Sequence, residues 1–158
     1  MGLPVRLVRG AKPVGTILAF DFGHRRIGVA VGQTLTCTAN ALAVVPAANE
    51  PDWQEISNLI QDWQPAALVV GLPLGAGGDE TDMSRDARQF GLQLGNRYGI
   101  QVLYEDERLT SIGADQRFAD ARAKGSLRRK DAALKDAMAA QIILESWLRC
   151  CTPVPSSS

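Results

Sequence analysis

The feature that most constrains this chain is a carboxylate at the end of an apolar run. The residues from Ile17 to Phe20 are apolar, and Asp21 follows them directly. Such a run predicts a buried central strand. A carboxylate there costs free energy unless a positive charge pairs with it. Glu107 and Asp136 stand in similar positions at the edges of later apolar segments. Three acids at the edge of core structure indicate a site for a divalent metal ion.

Length and composition indicate one cytoplasmic domain. The 158 residues, of which 46% are hydrophobic, are enough for one sizeable core and too few for two ordinary domains. No apolar stretch approaches the roughly 20 residues of a membrane helix, and we expect no signal peptide at the N-terminus. The three cysteines, Cys37, Cys150 and Cys151, fit neither a disulfide framework nor a zinc site. We therefore expect a protein of the reducing cytoplasm with no membrane partner.

The charge balance is neutral, but basic residues are clustered. With 17 basic and 17 acidic residues, the surface as a whole is not built to hold nucleic acid. A metal bound by the acids would leave a more positive surface for a polyanion. The candidates for contacts with substrate phosphates are Arg25, Arg26, Arg108, Arg128, Arg129 and Lys130. Two alternatives stay open: ion pairs with metal-free carboxylates for the first three, and a solvated segment for the others.

The spacing of apolar residues predicts an α/β fold with a mixed five-stranded sheet. Three strands, at 17–21, 26–32 and 41–45, have connections too short for crossover helices and form an antiparallel meander. Later strands at 67–71 and 101–104 are separated by helices. This separation implies parallel pairing, with the helices on the faces of the sheet.

Four helices and two irregular ends complete the predicted fold. The helices are expected from an Asn49 cap to Pro65, from Met83 to a stop at Gly99, from a Ser111 cap to Lys124, and from Asp131 to Leu148. The first has its apolar positions at Trp53, Ile56, Ile60 and Trp63. Residues 126–130 are expected to form a loop. The domain at 16–149 lies between a flexible extension at 1–15 and a disordered tail at 150–158.

The residues around the first two acids leave their roles open. Asp21 shares a strand face with apolar residues of its run, but Asp-X-Gly sequences are also common in simple turns. Glu107 lies in the cluster Glu105-Asp106-Glu107-Arg108, where a solvated strand end with a local ion pair is the alternative. Periodicity places Glu105 and Glu107 on one face and does not choose among the three acids.

Asp136 gives the clearest signal of the three. It heads a helical stripe that continues through Ala140, Ile143 and Trp147. The alternative role is an acid that stabilises the start of a helix, but Asp131 suits that role better because it is nearer the predicted start. We therefore assign Asp136 to the functional site.

The energy of grouping these acids indicates a cation. Two carboxylates about 4 Å apart repel by about 4 kcal/mol at an effective dielectric constant of about 20. Three would cancel much of a domain's stability of about 5–15 kcal/mol unless they bound a cation or protons. Oxygen ligands without paired histidine or cysteine favour Mg²⁺ or Mn²⁺ over zinc. One or two such ions could activate water and stabilise the leaving oxygen of a phosphodiester.

Four ordered motifs resemble those of the YqgF/RuvX-type family, bacterial Holliday-junction resolvases that are also described as pre-16S rRNA nucleases. They lie at residues 21–31 (DFGHRRIGVAV), 70–74 (VGLPL), 106–111 (DERLTS) and 136–144 (DAMAAQIIL). The resemblance extends from residue 16 to residue 149 and implies an RNase H-like fold. It also implies a nuclease site in which Asp21, Glu107 and Asp136 are catalytic and bind Mg²⁺ or Mn²⁺.

The resemblance further implies that the substrate is structured nucleic acid. The expected reaction is hydrolysis at the 5′ end of pre-16S rRNA in ribosome biogenesis, by a monomer or homodimer that could act on ribosomal particles. The alternatives are branched DNA as substrate, and a nucleic-acid-binding maturation factor without nuclease turnover. The chain departs from the family at Gly32-Gln33, where Ser-Asp is common, and at 75–78, where an Asn is common. Both departures concern how the substrate backbone is held.

The sequence has two further candidate features, a glycine-rich loop and a single histidine. The loop from Gly71 to Gly78 could offer backbone N–H groups to a phosphate, or it could be a flexible connector. His24, the single histidine, is expected to be exposed rather than to bind metal.

Phosphoryl transfer from a nucleotide, which related folds perform, is disfavoured because 158 residues leave no second lobe to close over ATP.

Overall fold

The computed structural model of the chain describes residues 14–107 and 129–150. Its elements are β1 (Thr16–Asp21), β2 (Arg26–Gln33), β3 (Thr38–Pro46), α1 (Trp53–Trp63), β4 (Ala67–Leu72), α2 (Asp82–Tyr98), β5 (Gln101–Asp106) and α3 (Arg129–Cys150). Outside the described residues lie the predicted extension up to residue 13, the helix at 111–124, the tail from residue 151, and the candidates Arg108 and Arg128.

The five strands form one mixed sheet in the order β3-β2-β1-β4-β5. β1 pairs antiparallel with β2, and β2 antiparallel with β3, as expected for strands joined by short connections. β1 pairs in parallel with β4, and β4 with β5, across helical connections. The predicted α/β architecture, in which an antiparallel meander is joined to parallel strands and flanked by helices, is confirmed.

Side-chain alternation in β1 divides the core between the two faces of the sheet. Leu18 and Phe20 pack in a buried cluster with residues of α1 and α2. Ile17 and Ala19 pack in a second cluster with residues of α3. Asp21 continues the second series, so its side chain belongs to the α3 face.

Helix α3 covers this second face with the predicted apolar stripe. Ala140, Ile143 and Trp147 are all buried against the sheet. The strand residues beneath them include Ala30 and Ala67, whose small side chains let the helix approach closely. Within residues 14–107 and 129–150, no helix is long and apolar enough to cross a membrane.

The start of α1 differs from the prediction. The helix is capped by Asp52 rather than Asn49, because the Asp52 side chain accepts a hydrogen bond from the backbone N–H of Glu55. Pro51, just before the cap, disfavours helical geometry in the residue that precedes it. At the other end of α1, Trp63 is 39% exposed and does not belong to the buried stripe.

Both β5 and α3 are longer than predicted, whereas α2 ends as expected. β5 runs to Asp106 rather than Tyr104, because its pairing with β4 continues that far. α3 begins at Arg129, so Arg129 and Lys130 lie in a helix and not in a loop, in keeping with the good helix propensity of long basic residues. Gly99 ends α2 in the left-handed conformation that glycine adopts readily.

Candidate active site

Asp21 lies at the end of the central strand between two glycines. Its partner in the antiparallel pairing with β2 is Gly28. On the other side, the parallel register of Phe20 with Val70 brings Gly71 of β4 next to it. Because glycine has no side chain, the α3 face of the sheet has space on both sides of the Asp21 carboxyl group. This space admits further acidic side chains.

Glu107 enters this space from the position directly after β5. A Cβ atom added to Gly71 would stand 2.6 Å from Glu107 Oε2, so the carboxylate lies over that glycine. The Asp21 and Glu107 carboxyl groups are hydrogen-bonded to each other and share a proton. Of the three neighbouring acids in the sequence, Glu107 is therefore the one that meets Asp21.

Glu105 faces the same side of the sheet but makes a different contact. Its side chain is 7% exposed, and its Oε2 accepts a 2.7 Å hydrogen bond from Ser146 Oγ of α3. Asp106 follows it on the opposite face by strand alternation. The Glu105–Ser146 pair thus joins α3 to the edge strand β5.

Asp136 approaches the site from α3, above β2. A Cβ atom on Gly28 would overlap the backbone carbonyl oxygen of Asp136, so helix and strand backbones are in contact. Asp136 Oδ2 accepts a 2.7 Å hydrogen bond from Arg26 Nε. The two side chains stay partly open to solvent, with 46% of Arg26 and 28% of Asp136 exposed. At Arg26, then, the structure has the ion pair that was the alternative to phosphate binding.

The three acids influence one another's protonation. Burial first, and then the charges of Glu107 and Asp136, raise the pKa of Asp21 well above its ordinary value. Burial also raises the pKa of Glu107; the charge of Asp106 adds to this, and the hydrogen bond from Asp21 opposes it. Asp21 and Glu107 therefore hold a proton between them more firmly than exposed acids would. A cation bound at this point would replace that proton.

The donor set fits a hard divalent cation, but its members do not converge on one point. Carboxylates without accompanying histidine or cysteine are the ligands that Mg²⁺ and Mn²⁺ prefer. In the part of the chain that the structure describes, no three acidic, histidine or cysteine side chains form a ready metal-binding group. Asp136 instead contacts Arg26, while Asp21 contacts Glu107.

The structure describes four of the six basic candidates, and they differ in how near they lie to the acids. Arg25 and Arg26 are exposed at the start of β2, and only Arg26 is hydrogen-bonded to one of the three acids. Arg129 and Lys130 lie in the first turn of α3, on the N-terminal side of Asp136. Contact of these residues with a substrate stays a prediction.

Apart from Gly71, the glycine-rich loop makes its described contacts outside the acidic cluster, and so does His24. His24 is exposed, as predicted, and its Nε2 lies 2.7 Å from Asp86 Oδ2. The loop is a hydrogen-bonded turn in which the Gly75 N–H donates to the Asp79 carbonyl oxygen. At its end, Thr81 caps α2 and accepts a backbone hydrogen bond of the first turn.

Sequence reasoning missed two glycines and one serine that shape the site. Gly28 and Gly71 carried a usable signal, because a glycine inside a strand pattern often marks the close approach of another group. Ser146 had no such sequence signal, since a single serine on a helix does not reveal a buried partner. Glu105 was seen, but its pairing with α3 was not.

The sequence matches one known family over nearly its whole length. Residues 15–150 match the family described as RuvX, Holliday junction resolvase. This chain belongs to the RuvX family. RuvX membership places the protein among nucleases, which hydrolyse phosphodiester bonds.

Several relatives of this RuvX chain carry the name "Putative pre-16S rRNA nuclease". One from Xanthomonas euvesicatoria pv. vesicatoria (strain 85-10) is 48% identical over 138 residues, 87% of this chain and 89% of the relative. One from Hydrogenovibrio crunogenus is 45% identical over 139 residues, 87% of this chain and 96% of the relative. One from Yersinia pestis (strain Pestoides F) is 46% identical over 133 residues, 84% of this chain and 93% of the relative.

Among solved structures, RuvC of T. thermophilus in complex with a Holliday junction substrate can be superposed on this RuvX chain. The match covers 87% of this chain and 97% of that one, with 17% identity and a TM-score of 0.49.

Proposed function

We propose that this RuvX-family protein is a divalent-metal-dependent nuclease of structured nucleic acid in the cytoplasm, with the 5′ end of pre-16S rRNA as its substrate. Asp21, Glu107 and Asp136 are its catalytic residues and the ligands of Mg²⁺ or Mn²⁺. The observation that carries the proposal is geometric: Glu107 lies over Gly71 and Asp136 lies against Gly28, the two glycines that flank Asp21 in the sheet. The names of the relatives support the choice of substrate.

The three acids have distinct tasks in this mechanism. Asp21, held between Gly28 and Gly71 at the end of a buried strand, provides a ligand from the centre of the sheet. Asp21 and Glu107 share a proton through their hydrogen bond in the metal-free protein, and this proton must leave when the cation binds. Metal binding therefore releases protons and weakens as the pH falls. When bound, the cation supplies charge neutralisation and activation of water for attack on a phosphodiester.

Basic residues near the acids are proposed to hold the phosphate backbone. Arg25 and Arg26 are exposed beside the site, and arginine is suited to bidentate contact with phosphate. The other candidates are Arg108, Arg128, Arg129 and Lys130. A chain of zero net charge with such a local cluster suits binding of nucleic acid at one place rather than over the whole surface.

The test is cleavage of a pre-16S rRNA fragment that carries its 5′ precursor segment, with a four-way DNA junction in parallel. Wild type is compared with Asp21→Asn, Asp136→Asn and the matched control Asp62→Asn, which changes an exposed carboxylate on α1. Wild type and the control are expected to cut the RNA only with Mg²⁺ or Mn²⁺. The two site variants are expected to bind the RNA and not cut it. Cleavage by Asp21→Asn at the wild-type rate would refute the site.

Branched DNA is the second candidate substrate, because the family description is Holliday junction resolvase. A four-way junction must be cut in two equivalent strands, so this activity calls for two sites and hence a homodimer. Metal-dependent cutting of the junction together with dimer formation, in the absence of RNA cleavage, would favour it.

A maturation factor without turnover is the remaining alternative. It predicts that wild type and both Asp→Asn variants bind RNA equally, that none of them cuts either substrate, and that Asp21→Asn still supports ribosome maturation in cells. Ribosomal particles are the partner in both RNA-based cases. Co-sedimentation of the protein with precursor small-subunit particles measures that association.

A further inference from the structure

Arg26 is tied to Asp136 by the packing of the backbone, not only by charge. Arg26 and Gly28 are two residues apart in β2 and so face the same side of the sheet. The Asp136 backbone lies against Gly28 on that side. The close contact of α3 with the strand therefore delivers the Asp136 carboxylate to the Arg26 guanidinium, where the 2.7 Å hydrogen bond forms.

This contact uses an oxygen that a metal ion would need. Oδ2 of Asp136 accepts from Arg26, while Asp21 and Glu107 are joined to each other by their own hydrogen bond. Each of the three acids is thus satisfied from within the protein. The described residues show no group of three acids placed to hold one ion, and Asp136 is hydrogen-bonded to Arg26.

The ion pair between Arg26 and Asp136 can also open. Nearly half of the Arg26 side chain is exposed, and Asp136 is about a quarter exposed, so water can replace either partner. A solvent-exposed ion pair of this kind contributes little to stability, so breaking it costs little. A divalent cation with two charges, placed among three carboxylates, attracts Asp136 more strongly than one guanidinium does.

We propose that Arg26 is an internal counter-cation that competes with the divalent ion for Asp136 and is released to bind a substrate phosphate when the ion enters. This inference rests on the proposed metal site and deepens it. By linkage, if the cation frees Arg26 for phosphate, then bound nucleic acid strengthens cation binding by the same factor. Arg26 is then a positioning residue in the metal-free state and a substrate ligand in the loaded one.

The test is the affinity of the folded protein for Mn²⁺, measured by isothermal titration calorimetry at fixed ionic strength. The variants are Arg26→Gln, Arg26→Lys and the matched control Arg25→Gln, which removes the same charge from the neighbouring exposed residue. Arg26→Gln is expected to bind Mn²⁺ about fivefold more tightly than wild type, the equivalent of losing a competing pair of about 1 kcal/mol. Arg25→Gln and Arg26→Lys should stay within about twofold of wild type, since the first keeps the pair and the second keeps the charge.

The outcomes separate this inference from the proposed function. If wild type binds Mn²⁺ and Arg26→Gln binds no more tightly than Arg25→Gln, the competition is refuted and the metal site stands. If Arg26→Lys tightens binding as much as Arg26→Gln, charge is not the competing element and the inference also falls. If neither wild type nor any variant binds Mn²⁺, both the inference and the proposed function are wrong.

A second measurement checks the release of Arg26 to phosphate. Affinity for a short RNA duplex with non-hydrolysable linkages is measured with all three acids intact, with and without Mn²⁺, in wild type and in Arg26→Gln. Mn²⁺ should strengthen RNA binding more when Arg26 is present than when it is replaced. Equal strengthening in both backgrounds would contradict the release.

Discussion

Gly28 lies directly beneath the backbone carbonyl of Asp136, at a point where a larger residue would force the two backbones apart. A Cβ atom on Gly28 would overlap that oxygen and stand 3.1 Å from the backbone nitrogen of Ala137. Gly28 is also the partner of Asp21 across the sheet. This one contact therefore sets how closely α3, and with it Asp136, comes to Asp21.

Gly28→Ala is expected to destabilise the protein by about 3 kcal/mol or more, because the new methyl group meets backbone atoms that cannot turn aside. The loss is measured as the free energy of unfolding in urea. Nuclease activity of the folded fraction should fall as well, since Asp136 moves away from Asp21.

Gly95→Ala is the matched control for this substitution. In α2 its Cβ atom would meet other atoms no closer than 3.6 Å, an ordinary contact, and alanine is the better helix former by roughly 0.5–1 kcal/mol. We expect equal or greater stability and unchanged activity. A Gly28→Ala protein as stable as wild type would contradict the close approach of α3.

Gly71→Ala, in contrast to Gly28→Ala, should lower the cleavage rate more than it lowers stability. Its Cβ atom would stand 2.5 Å from Ile143 Cδ1 and 2.6 Å from Glu107 Oε2, and both are the free ends of flexible side chains. These ends can move, so the stability loss should be about 1 kcal/mol. Displacement of the Glu107 carboxylate, however, should lower the cleavage rate by about a hundredfold.

The comparison of the two glycine variants at matched temperature gives the diagnostic result. Gly28→Ala should lose mainly stability, and Gly71→Ala mainly activity. If Gly71→Ala cuts at the wild-type rate, Glu107 does not act from the position it occupies over Gly71.

The core of the fold was predictable from the sequence because its signals are local. The run that ends at Asp21 and the stripe that begins at Asp136 are each read from the alternation of neighbouring residues. The buried cluster of Ile17, Ala19, Ala140 and Ile143 follows from those two patterns once the helix is placed on the sheet.

The details that complete the candidate site were not predictable, because they depend on distant residues. Arg26 and Asp136 are separated by 110 positions, and no local pattern distinguishes a partner of this acid from a partner of a phosphate. The choice of Glu107 over Glu105 depends on where β5 ends and on the gap at Gly71, both set by pairing with β4. The motif resemblance supplied that choice, and the residues alone did not.

Ser146→Ala is expected to destabilise the protein by about 1–3 kcal/mol, because it leaves the buried Glu105 carboxylate without its hydrogen-bond donor. The free energy of unfolding in urea measures the effect. Ser57→Ala serves as the control: its hydroxyl contacts the Tyr98 hydroxyl in a partly buried position, where water can take its place. That variant should lose about 1 kcal/mol or less.

Glu105→Gln tests whether Ser146 stabilises the protein through the Glu105 carboxylate. Glutamine can still accept from Ser146, and it removes a buried charge, so its effect should be near neutral or stabilising. In the Glu105→Gln background, Ser146→Ala should cost less than in wild type. Equal costs in the two backgrounds would show that the serine does not act through the carboxylate.

The stability of the metal-free protein should decrease as the pH rises above about 4.5. The pKa values of Asp21 and Glu107 are raised on folding above their ordinary values of 3.8 and 4.5, so the folded state binds more protons than the unfolded state in this range. The stability that these two acids contribute is then greatest at a pH below their ordinary pKa values. It is lost as the pH rises through their raised pKa values in the folded protein. The free energy of unfolding, measured in excess chelator from about pH 4.5 to about pH 8, follows this decline.

Asp21→Asn tests whether the acidic site causes this pH dependence of stability, because asparagine cannot ionise and removes the repulsion between the two carboxylates. Burial still raises the pKa of Glu107 in this variant, so we expect a smaller decline than in wild type and a higher stability than wild type at about pH 8 without metal. Glu80→Gln is the control. Hydrogen bonds from Arg88 and Ser84 lower the pKa of Glu80, so its contribution is lost only as the pH falls below its ordinary value of 4.5. A decline as steep in Asp21→Asn as in wild type, or its disappearance in Glu80→Gln, would assign the pH dependence to groups outside the acidic site.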